Sequence, residues 1–478
     1  MSHAEFDQRP TVSFGPSTEL KSVHLIGICG SGMKPLAQAL LTIGVKVSGS
    51  DPNAGSCAIL SEMGATLYET HSAEHIADQD CVVFSSAISD QNEELVAARS
   101  RGIPVIHRSE MLGWFLARRE SVLIAGTHGK TTTTTLLTLL LERQGAEPWG
   151  FVGGTVKEFG GNVRIGKGLL AVAEADESDG SFHNLPRTHA LITNIEAEHL
   201  NFWGTEEKMF EGFTEFIHAM PNDGHLVICV DDAGCRRLLP ESRSWTTTYS
   251  IDNQSADFYA ASVRLCGEFS TFDLMHNGRR RGRVMIGIPG RQNVSNAIGA
   301  FAMALKLGCD FEVIRDALTD FHGVDRRFTK RVAPNGALII DDYGHHPTEM
   351  AATIAAARLL AEERGGRLLA VVQPHRYSRT QSFFAQFGPA LRSVDHVIIT
   401  EIYAAGEEAI AGVSGESLRN AVAEQVSCPV EFIPEFDQMK KSINAWSKNN
   451  DIVLLLGAGS ITKLAPQLAL PAGSTAHV

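Results

Sequence analysis

The stretch Ser121–Leu140, SVLIAGTHGKTTTTTLLTLL, decides how the rest of the chain is read. Val122, Leu123 and Ile124 predict a buried strand, Gly126 to Gly129 a short turn, and the threonine run with Leu136, Leu137, Leu139 and Leu140 the start of a helix. A glycine-rich turn between strand and helix leaves backbone N–H groups free at the positive end of the helix dipole, where anionic oxygens supply the missing acceptors. Lys130 adds a mobile charge for β- and γ-phosphates, and the Thr131 hydroxyl is placed to ligate the accompanying Mg²⁺. Gly126, Thr127, Gly129 and Thr132 complete the nucleotide loop. The spacing G-x-x-G-K-T is shorter than the common P-loop pattern, because Ile124 stands where the first glycine belongs. The alternative is a chance GKT after a strand, and the order strand, turn, helix weighs against it.

Length and composition set the bounds. At 478 residues there is room for about three domains of roughly 150 residues, each with its own core. A 44% hydrophobic, 20% charged composition predicts a soluble globular protein. The net charge of −13 argues against nucleic acid, so anionic substrates must be met by local positive charge and helix N-termini. The eight cysteines (29, 57, 81, 229, 235, 266, 309 and 428) include no CxxC and predict reduced thiols rather than a disulfide frame or zinc site. MSHAEFDQRP has no basic start and no apolar core, and no apolar run approaches the roughly 18 residues of a membrane span. The expectation is a cytoplasmic monomer or homodimer without a membrane partner.

Residues 1–20 are polar and predict a loose leader. Val23–Ile26 begins a strand running into Gly27, Gly30 and Gly32, and Met33–Leu41 is apolar at helical spacing. This second glycine turn suits a diphosphate, although GICGSG is not GxGxxG and a ligand-free turn is the alternative. A strand at Val45–Ser48 ends at Ser50 and Asp51, about where such a unit places the carboxylate that receives a ribose hydroxyl. Cys81–Phe84 and Val105–Arg108 predict further strands, so the first part reads as an open, mostly parallel sheet with ligands at the strands' C-terminal ends.

Beyond the P-loop, Leu169–Ala173 leads into Glu174, Asp176, Glu177 and Asp179, and Ala190–Ile195 into Glu196, Glu198 and His199. A carboxylate at a strand tip beside a P-loop is suited to a hard cation, and an imidazole can complete the coordination; a solvated acidic loop and an ordinary histidine are the alternatives. Residues 222–290 alternate short β-like runs, among them Leu226–Val230, Phe258–Leu265 and Arg283–Ile288, and read as part of the central domain. PGRQNVSNA, residues 289–297, opens an apolar helix, where Asn293 and Asn296 serve either an adenine edge or helix capping. The last domain starts near FHGVDRRF, residues 321–328; its strands are Ala337–Ile340, Leu368–Val372, His396–Thr400 and Ile452–Leu456, and DDYGHHPTE (341–349) and QPHRYSRT (373–380) follow two of them. The tail after Gln467 reads as frayed.

GICGSGM, GTHGKTTTT, AEADESDGSF, TNIEAEHL, PGRQNVSNA, GVDRRF, DDYGHHPTE, QPHRYSRT and EIYAAGE, in this order over nearly the whole chain, resemble the Mur ligase family, and DDYGHHPTE with HRYSRT resembles its alanine-adding branch. The resemblance implies an α/β protein of three domains: a Rossmann-like UDP-sugar domain over 21–118, a P-loop ATP domain over 119–325 and a Rossmann-like amino-acid domain over 326–478. It implies that ATP phosphorylates the lactyl carboxylate of UDP-N-acetylmuramate and that L-alanine displaces the phosphate, in peptidoglycan synthesis. Lys130 and Thr131 are implied to hold the β/γ end with Mg²⁺, and Glu174 and His199 to hold a second Mg²⁺. Arg327, Asp342 and Tyr343 are implied to reach ATP, His345 to handle the incoming amine, and Arg376 and Arg379 to clamp the amino-acid carboxylate. Gly30, Ser31, Gly32, Met33, Asp51, Ser85 and His128 fall to the substrate side.

Four positions depart from the family pattern: Cys29 replaces a glycine, Glu198 an aspartate and Gln292 a histidine, and the carbamoylated lysine of other members has no counterpart near Thr214. Rival expectations are a recycling ligase that attaches a whole peptide, a nucleotide-dependent oxidoreductase, and a regulatory ATPase or UDP-sugar-binding module without ligase activity.

Overall fold

The computed structural model describes residues 14–15, 17–242 and 245–470, with the backbone alone for Asn201. Most of the expected leader and of the expected frayed tail lies outside the described residues.

Three sheets organise the chain. The first is parallel throughout, in the order Thr66–Tyr68, Lys46–Ser50, Ser22–Ile26, Cys81–Phe84, Val105–His107. This 3-2-1-4-5 order reverses direction beside Ser22–Ile26, so a crevice opens at that strand's C-terminal end, where the first glycine turn sits. The sequence reading lacked the short Thr66–Tyr68 strand, whose residues are at most half-buried and carry no apolar run.

The second sheet has ten strands. At its centre the P-loop strand Glu120–Ala125 lies between Leu170–Glu174 and His189–Ile192, parallel to both, with Ile124 opposite Glu174 and Ala125 opposite Ile192. Beyond Leu170–Glu174 come Trp149–Val156 and the antiparallel edge Gly161–Arg164; beyond His189–Ile192 come Leu226–Cys229, Thr246–Ser250, Phe258–Leu265, Ser270–His276 and Arg279–Ile286. Buried β-branched and leucine side chains fill the central strands on both faces, as a parallel sheet covered by helices requires. The edge hairpin Trp149–Arg164 is glycine-rich, FVGG and FGGN, which hid its strands from pattern reading.

The third sheet runs Thr329–Val332, Leu338–Asp342, Ile452–Leu456, Leu368–Val372, His396–Ile399, Val430–Phe432, with only the first strand antiparallel. Alternate residues of its inner strands feed two cores on opposite faces, Ile340, Ala370 and Leu454 on one and Ile339, Val371 and Val453 on the other. Among the described residues no helix is long and apolar enough to cross a membrane.

The chain divides into two compact units. One holds the described residues up to Ala260 with Leu274–Arg281 and Ser295–Ala317; the other holds Ala261–Asp273, Gly282–Val294 and the described residues from Leu318 on. This differs from the expected segmentation, in which 222–290 belonged wholly to the central stretch. Within the second unit the turn at Gly267 is fastened by its N–H to the Glu363 carboxylate (3.0 Å) on the helix Pro347–Arg364, which carries the neighbouring strand segments with it.

Candidate active site

The P-loop joins the strand Glu120–Ala125 to the helix Lys130–Arg143, with Gly129 as N-cap at φ 82°. Gly126 and Gly129 both need to be glycine. At φ 126° and 82° a side chain is strained, and a Cβ would meet Thr193 Oγ1 at 2.3 Å and Asn296 Oδ1 at 2.7 Å respectively. The second contact places the Asn296 amide on the nucleotide loop. Asn293 falls in the other unit, inside the first turn of the helix Arg291–Lys306, where its Nδ2 donates to Pro289 O at 2.6 Å.

The loop is braced by residues at the tip of the adjacent strand. His128 N donates to Asn194 Oδ1 (2.8 Å), Thr193 Oγ1 and Asn194 Nδ2 donate to His128 O (2.7 and 3.0 Å), and Thr127 N donates to Asn194 O (3.0 Å). Glu196 N donates to Thr127 Oγ1 (2.9 Å), and His128 Nε2 lies 3.3 Å from the Glu196 carboxylate. Sequence reading singled out His128 but not Asn194, whose side chain ties both ends of the His128 peptide.

Lys130 folds back over the loop: its Nζ donates to Gly126 O (2.6 Å), Thr127 O (3.2 Å) and Glu177 Oε2 (2.7 Å). Burial acts to lower the Lys130 ammonium, but the carboxylates of Glu177 and Asp176 outweigh it and raise it above its usual range, so it stays charged. Burial pushes Glu177 up to about 7 against the pull of Lys130. Thr131 Oγ1 donates to Glu174 Oε2 at 3.1 Å, and the other oxygen of Glu174 accepts from the Gly153 backbone N–H. Glu174 is the last residue of its strand, at the strand tip, with the strand running one residue further than the expected Leu169–Ala173. Thr132 and the next three threonines are buried within the helix. His199 stands at φ 57° before the short helix Leu200–Trp203, its Nε2 3.7 Å from Glu198.

In the first sheet's crevice, Gly27 at φ 73° starts the glycine turn; Gly30 N donates to Gly27 O, and Met33 opens the helix Met33–Thr42 behind Gly32. The Asp51 carboxylate, 8% exposed, accepts from Cys29 N (3.1 Å) and Asn53 N (2.8 Å), so it orders the turn on which the substrate side was expected. Ser31 O accepts from Asn162 Nδ2 of the edge hairpin (2.6 Å), and Ser85 O accepts from Ile88 N. A Cβ on Gly32 would meet the Arg108 guanidinium at 3.1 Å. Arg108, which sequence reading passed over as a strand end, is the first residue of the helix Arg108–Leu116 and brings a cation to the glycine turn.

Cys29 and Cys57 correct the expectation of uniformly reduced thiols: they are joined as a disulfide, with Cα atoms 5.5 Å apart. They are 28 residues apart in sequence, but they follow the adjacent parallel strands Ser22–Ile26 and Lys46–Ser50, which is what brings them together. The other six cysteines are free.

The second unit gathers the remaining residues at the C-terminal ends of Leu338–Asp342 and Leu368–Val372, both paired with Ile452–Leu456. Asp342 was expected to reach ATP. Its carboxylate accepts from Phe328 N and Gly344 N, both at 2.8 Å, and burial raises it against the pull of Arg327. It pins the turn that carries Arg327, with Arg326 and Phe328 at φ 60°. The Arg327 guanidinium lies 5.2 Å from the Tyr343 ring and 3.7 Å from Glu349. His345 Nδ1 lies 3.1 Å from Tyr343 O, and its ring is 5.6 Å from that of His375. His375, which sequence reading did not select, links this group to Arg379, whose Nη1 is 3.1 Å from His375 Nδ1. Arg376, at φ 66°, lies 3.9 Å from Glu407.

Strand order, P-loop and strand-tip carboxylate define a P-loop nucleotide-binding α/β protein with flanking Rossmann-like sheets. Family models for the Mur ligase catalytic domain, the Mur ligase middle domain and the Mur ligase glutamate ligase domain match residues 22–120, 124–304 and 326–459. The chain is 41% identical over 453 residues to the UDP-N-acetylmuramate–L-alanine ligase of Geobacter sp. strain M21, covering 95% of this chain and 98% of that one. It is 41% identical over 443 residues to the enzyme of the same name from Pelotomaculum thermopropionicum, covering 92% and 95%. Among solved structures it resembles the UDP-N-acetylmuramate–alanine ligase of Thermotoga maritima, with TM-score 0.78, 26% identity and 94% and 98% of the two chains covered. The chain belongs to the Mur ligase family.

Proposed function

We propose that this chain is an ATP-dependent ligase that joins L-alanine to the lactyl carboxylate of UDP-N-acetylmuramate, releasing ADP and phosphate, in the cytoplasmic stage of peptidoglycan synthesis. The observation that carries this reading is the Thr131–Glu174 hydrogen bond beside a lysine-bearing loop, in a chain that aligns over 95% of its length with a relative of that name. A free carboxylate is inert toward amines at neutral pH. Transfer of the γ-phosphoryl group to the lactyl carboxylate gives an acyl phosphate; attack by the alanine amine then forms the amide and expels phosphate.

The chain's own groups divide this work. Backbone N–H groups of the loop and Lys130 receive the β/γ end of ATP. Thr131 and Glu174 form a hard-oxygen pair that suits Mg²⁺; with His199 they would hold it, at two sites in our reading, where it would supply positive charge to offset the phosphates and the reacting carboxylate. Asn296 lines the nucleotide side, and Asn293 with Arg327 and Tyr343 belongs to the same role. Gly30, Ser31, Gly32, Met33, Asp51 and Ser85 serve the UDP-sugar, with Arg108 supplying positive charge near the diphosphate. Arg376 and Arg379 clamp the alanine carboxylate, and His345 handles the amine.

The acyl-phosphate route is tested with UDP-N-acetylmuramate carrying ¹⁸O in its lactyl carboxylate. One labelled oxygen must appear in the phosphate released; unlabelled phosphate alongside amide product refutes the route.

A further inference from the structure

The mechanism leaves unused a buried ionisable group beside the P-loop lysine. Glu177 is 1% exposed and lies within the acidic run that follows Glu174. Its Oε2 is 2.7 Å from Lys130 Nζ, and its Oε1 accepts no hydrogen bond from another residue. Trp203 Nε1 donates to the Glu177 backbone carbonyl at 3.0 Å, and the indole is itself buried, so the segment carrying the carboxylate is fixed from behind. Lys130 meets three acceptors here, Gly126 O, Thr127 O and Glu177 Oε2, as many as an ammonium has protons. In this arrangement two of the lysine's contacts go to carbonyls of its own loop and the third goes to Glu177, on the segment after the neighbouring strand, so all three donors are engaged by the protein.

We propose that Glu177 is a positioning residue for Lys130: a buried counter-ion that latches the lysine onto its own loop in the nucleotide-free enzyme and must be displaced by the incoming triphosphate. The reasoning is electrostatic. A buried ammonium needs an anion close by, and before nucleotide arrives the protein supplies one. When phosphate oxygens offer themselves, Lys130 exchanges one anion for another, and Glu177 is left in a site with Asp176 close enough to raise it further. The latch therefore keeps the empty loop from collapsing around an unpaired cation and weakens the net gain from nucleotide binding. Gly126 O and Thr127 O hold the same nitrogen, so the released lysine has to swing only about its own stem.

This inference rests on the reading of the P-loop as the ATP site. Glu177→Gln keeps the size and an acceptor but removes the charge. In that variant Lys130 loses the one carboxylate bonded to it, while Asp176 and Glu174 still act on it through their charge. Titrations with a fluorescent non-hydrolysable ATP analogue should give a dissociation constant at least fivefold lower than in the unaltered protein, while the UDP-N-acetylmuramate dissociation constant stays within twofold. A residue with a merely structural role would shift nucleotide affinity the other way. Equal or weaker nucleotide binding by the variant, with UDP-sugar binding retained, overturns the latch; no nucleotide binding by the unaltered protein overturns the ATP-site reading instead. A second measurement does not depend on the variant folding. With ¹⁵N-lysine labelling, the nucleotide-free unaltered protein should show an exchange-protected ammonium resonance that is missing in Lys130→Arg and moves when the analogue is added. Absence of a protected Lys130 resonance in the nucleotide-free protein overturns the latch as well.

Discussion

Thr131 Oγ1 donates a hydrogen bond to Glu174 Oε2 at 3.1 Å, across the register in which Ile124 of the P-loop strand faces Glu174 of its neighbour. A hydroxyl and a carboxylate already in contact are hard oxygen donors that a cation can bridge with little rearrangement. Glu174→Gln is expected to raise the Mg²⁺ concentration for half-maximal turnover at least tenfold and to lower kcat by about 100-fold, roughly 2.7 kcal/mol of barrier. A magnesium titration of steady-state turnover checks this, and an unchanged Mg²⁺ dependence would remove Glu174 from the cation site.

Gly129 supplies a second test. At φ 82°, with Asn296 Oδ1 only 2.7 Å from where a Cβ would sit, alanine there carries both backbone strain and a clash. The left-handed conformation alone costs about 1–2 kcal/mol. Gly129→Ala should weaken nucleotide binding about tenfold or more and leave UDP-N-acetylmuramate binding intact, as calorimetric titration of each ligand would show.

The arginines after Leu368–Val372 predict a separable defect. Burial, followed by the charges of His345, Arg379, Arg376 and Arg326, drives His375 down to about 3. The ring therefore stays neutral across the working pH range and keeps a lone pair for Arg379. Arg379→Ala should raise the KM for L-alanine at least tenfold while the KM for ATP moves less than twofold. His375→Ala should raise the alanine KM by a smaller factor, about threefold, through the loosened guanidinium.

A pH prediction comes from the first sheet. Glu94 is fully buried, with His24, His71 and His75 within 3.3 Å of its carboxylate and the Ser50 hydroxyl donating to it. Burial raises Glu94, but the hydrogen bonds of His24, Ser50 and His75 outweigh it and hold the group at about 2, below its ordinary 4.5. A lowered carboxyl stabilises the folded state above its unfolded pKa, and that contribution is lost as pH falls toward the folded value. Glu94→Gln should therefore cost about 2–3 kcal/mol at pH 7, and the gap in melting temperature from the unaltered protein should shrink below about pH 4.5 and close near pH 2. A gap that does not change with pH would contradict the assignment.

How far the sequence reaches depends on which forces write themselves locally. Apolar runs bounded by polar residues or glycine marked the central parallel strands to within a few residues, because those strands are buried on both faces; Cys81–Phe84, Leu368–Val372 and Ile452–Leu456 coincide with their predicted bounds. The P-loop was legible because glycine, lysine and threonine each answer a distinct local need. Residues that act through tertiary contact were not. Asn194 looks like any strand-end asparagine until it bonds both the N–H and the carbonyl of His128, and the hold of Asp342 on the Phe328 and Gly344 N–H groups is equally invisible in the sequence. Arg108 and His375 carry no local pattern, and Cys29 and Cys57 meet only because their strands are neighbours.

The central claim is that the lysine-bearing loop activates a sugar acid by phosphoryl transfer for attack by L-alanine. Phosphate release in the presence of ATP, Mg²⁺, UDP-N-acetylmuramate and each of the twenty amino acids in turn tests it most directly. The account predicts the strongest release with L-alanine, none without UDP-N-acetylmuramate, and near-complete loss in Lys130→Ala with UDP-sugar binding retained. Release that proceeds without any amino acid, or undiminished turnover in Lys130→Ala, would contradict it.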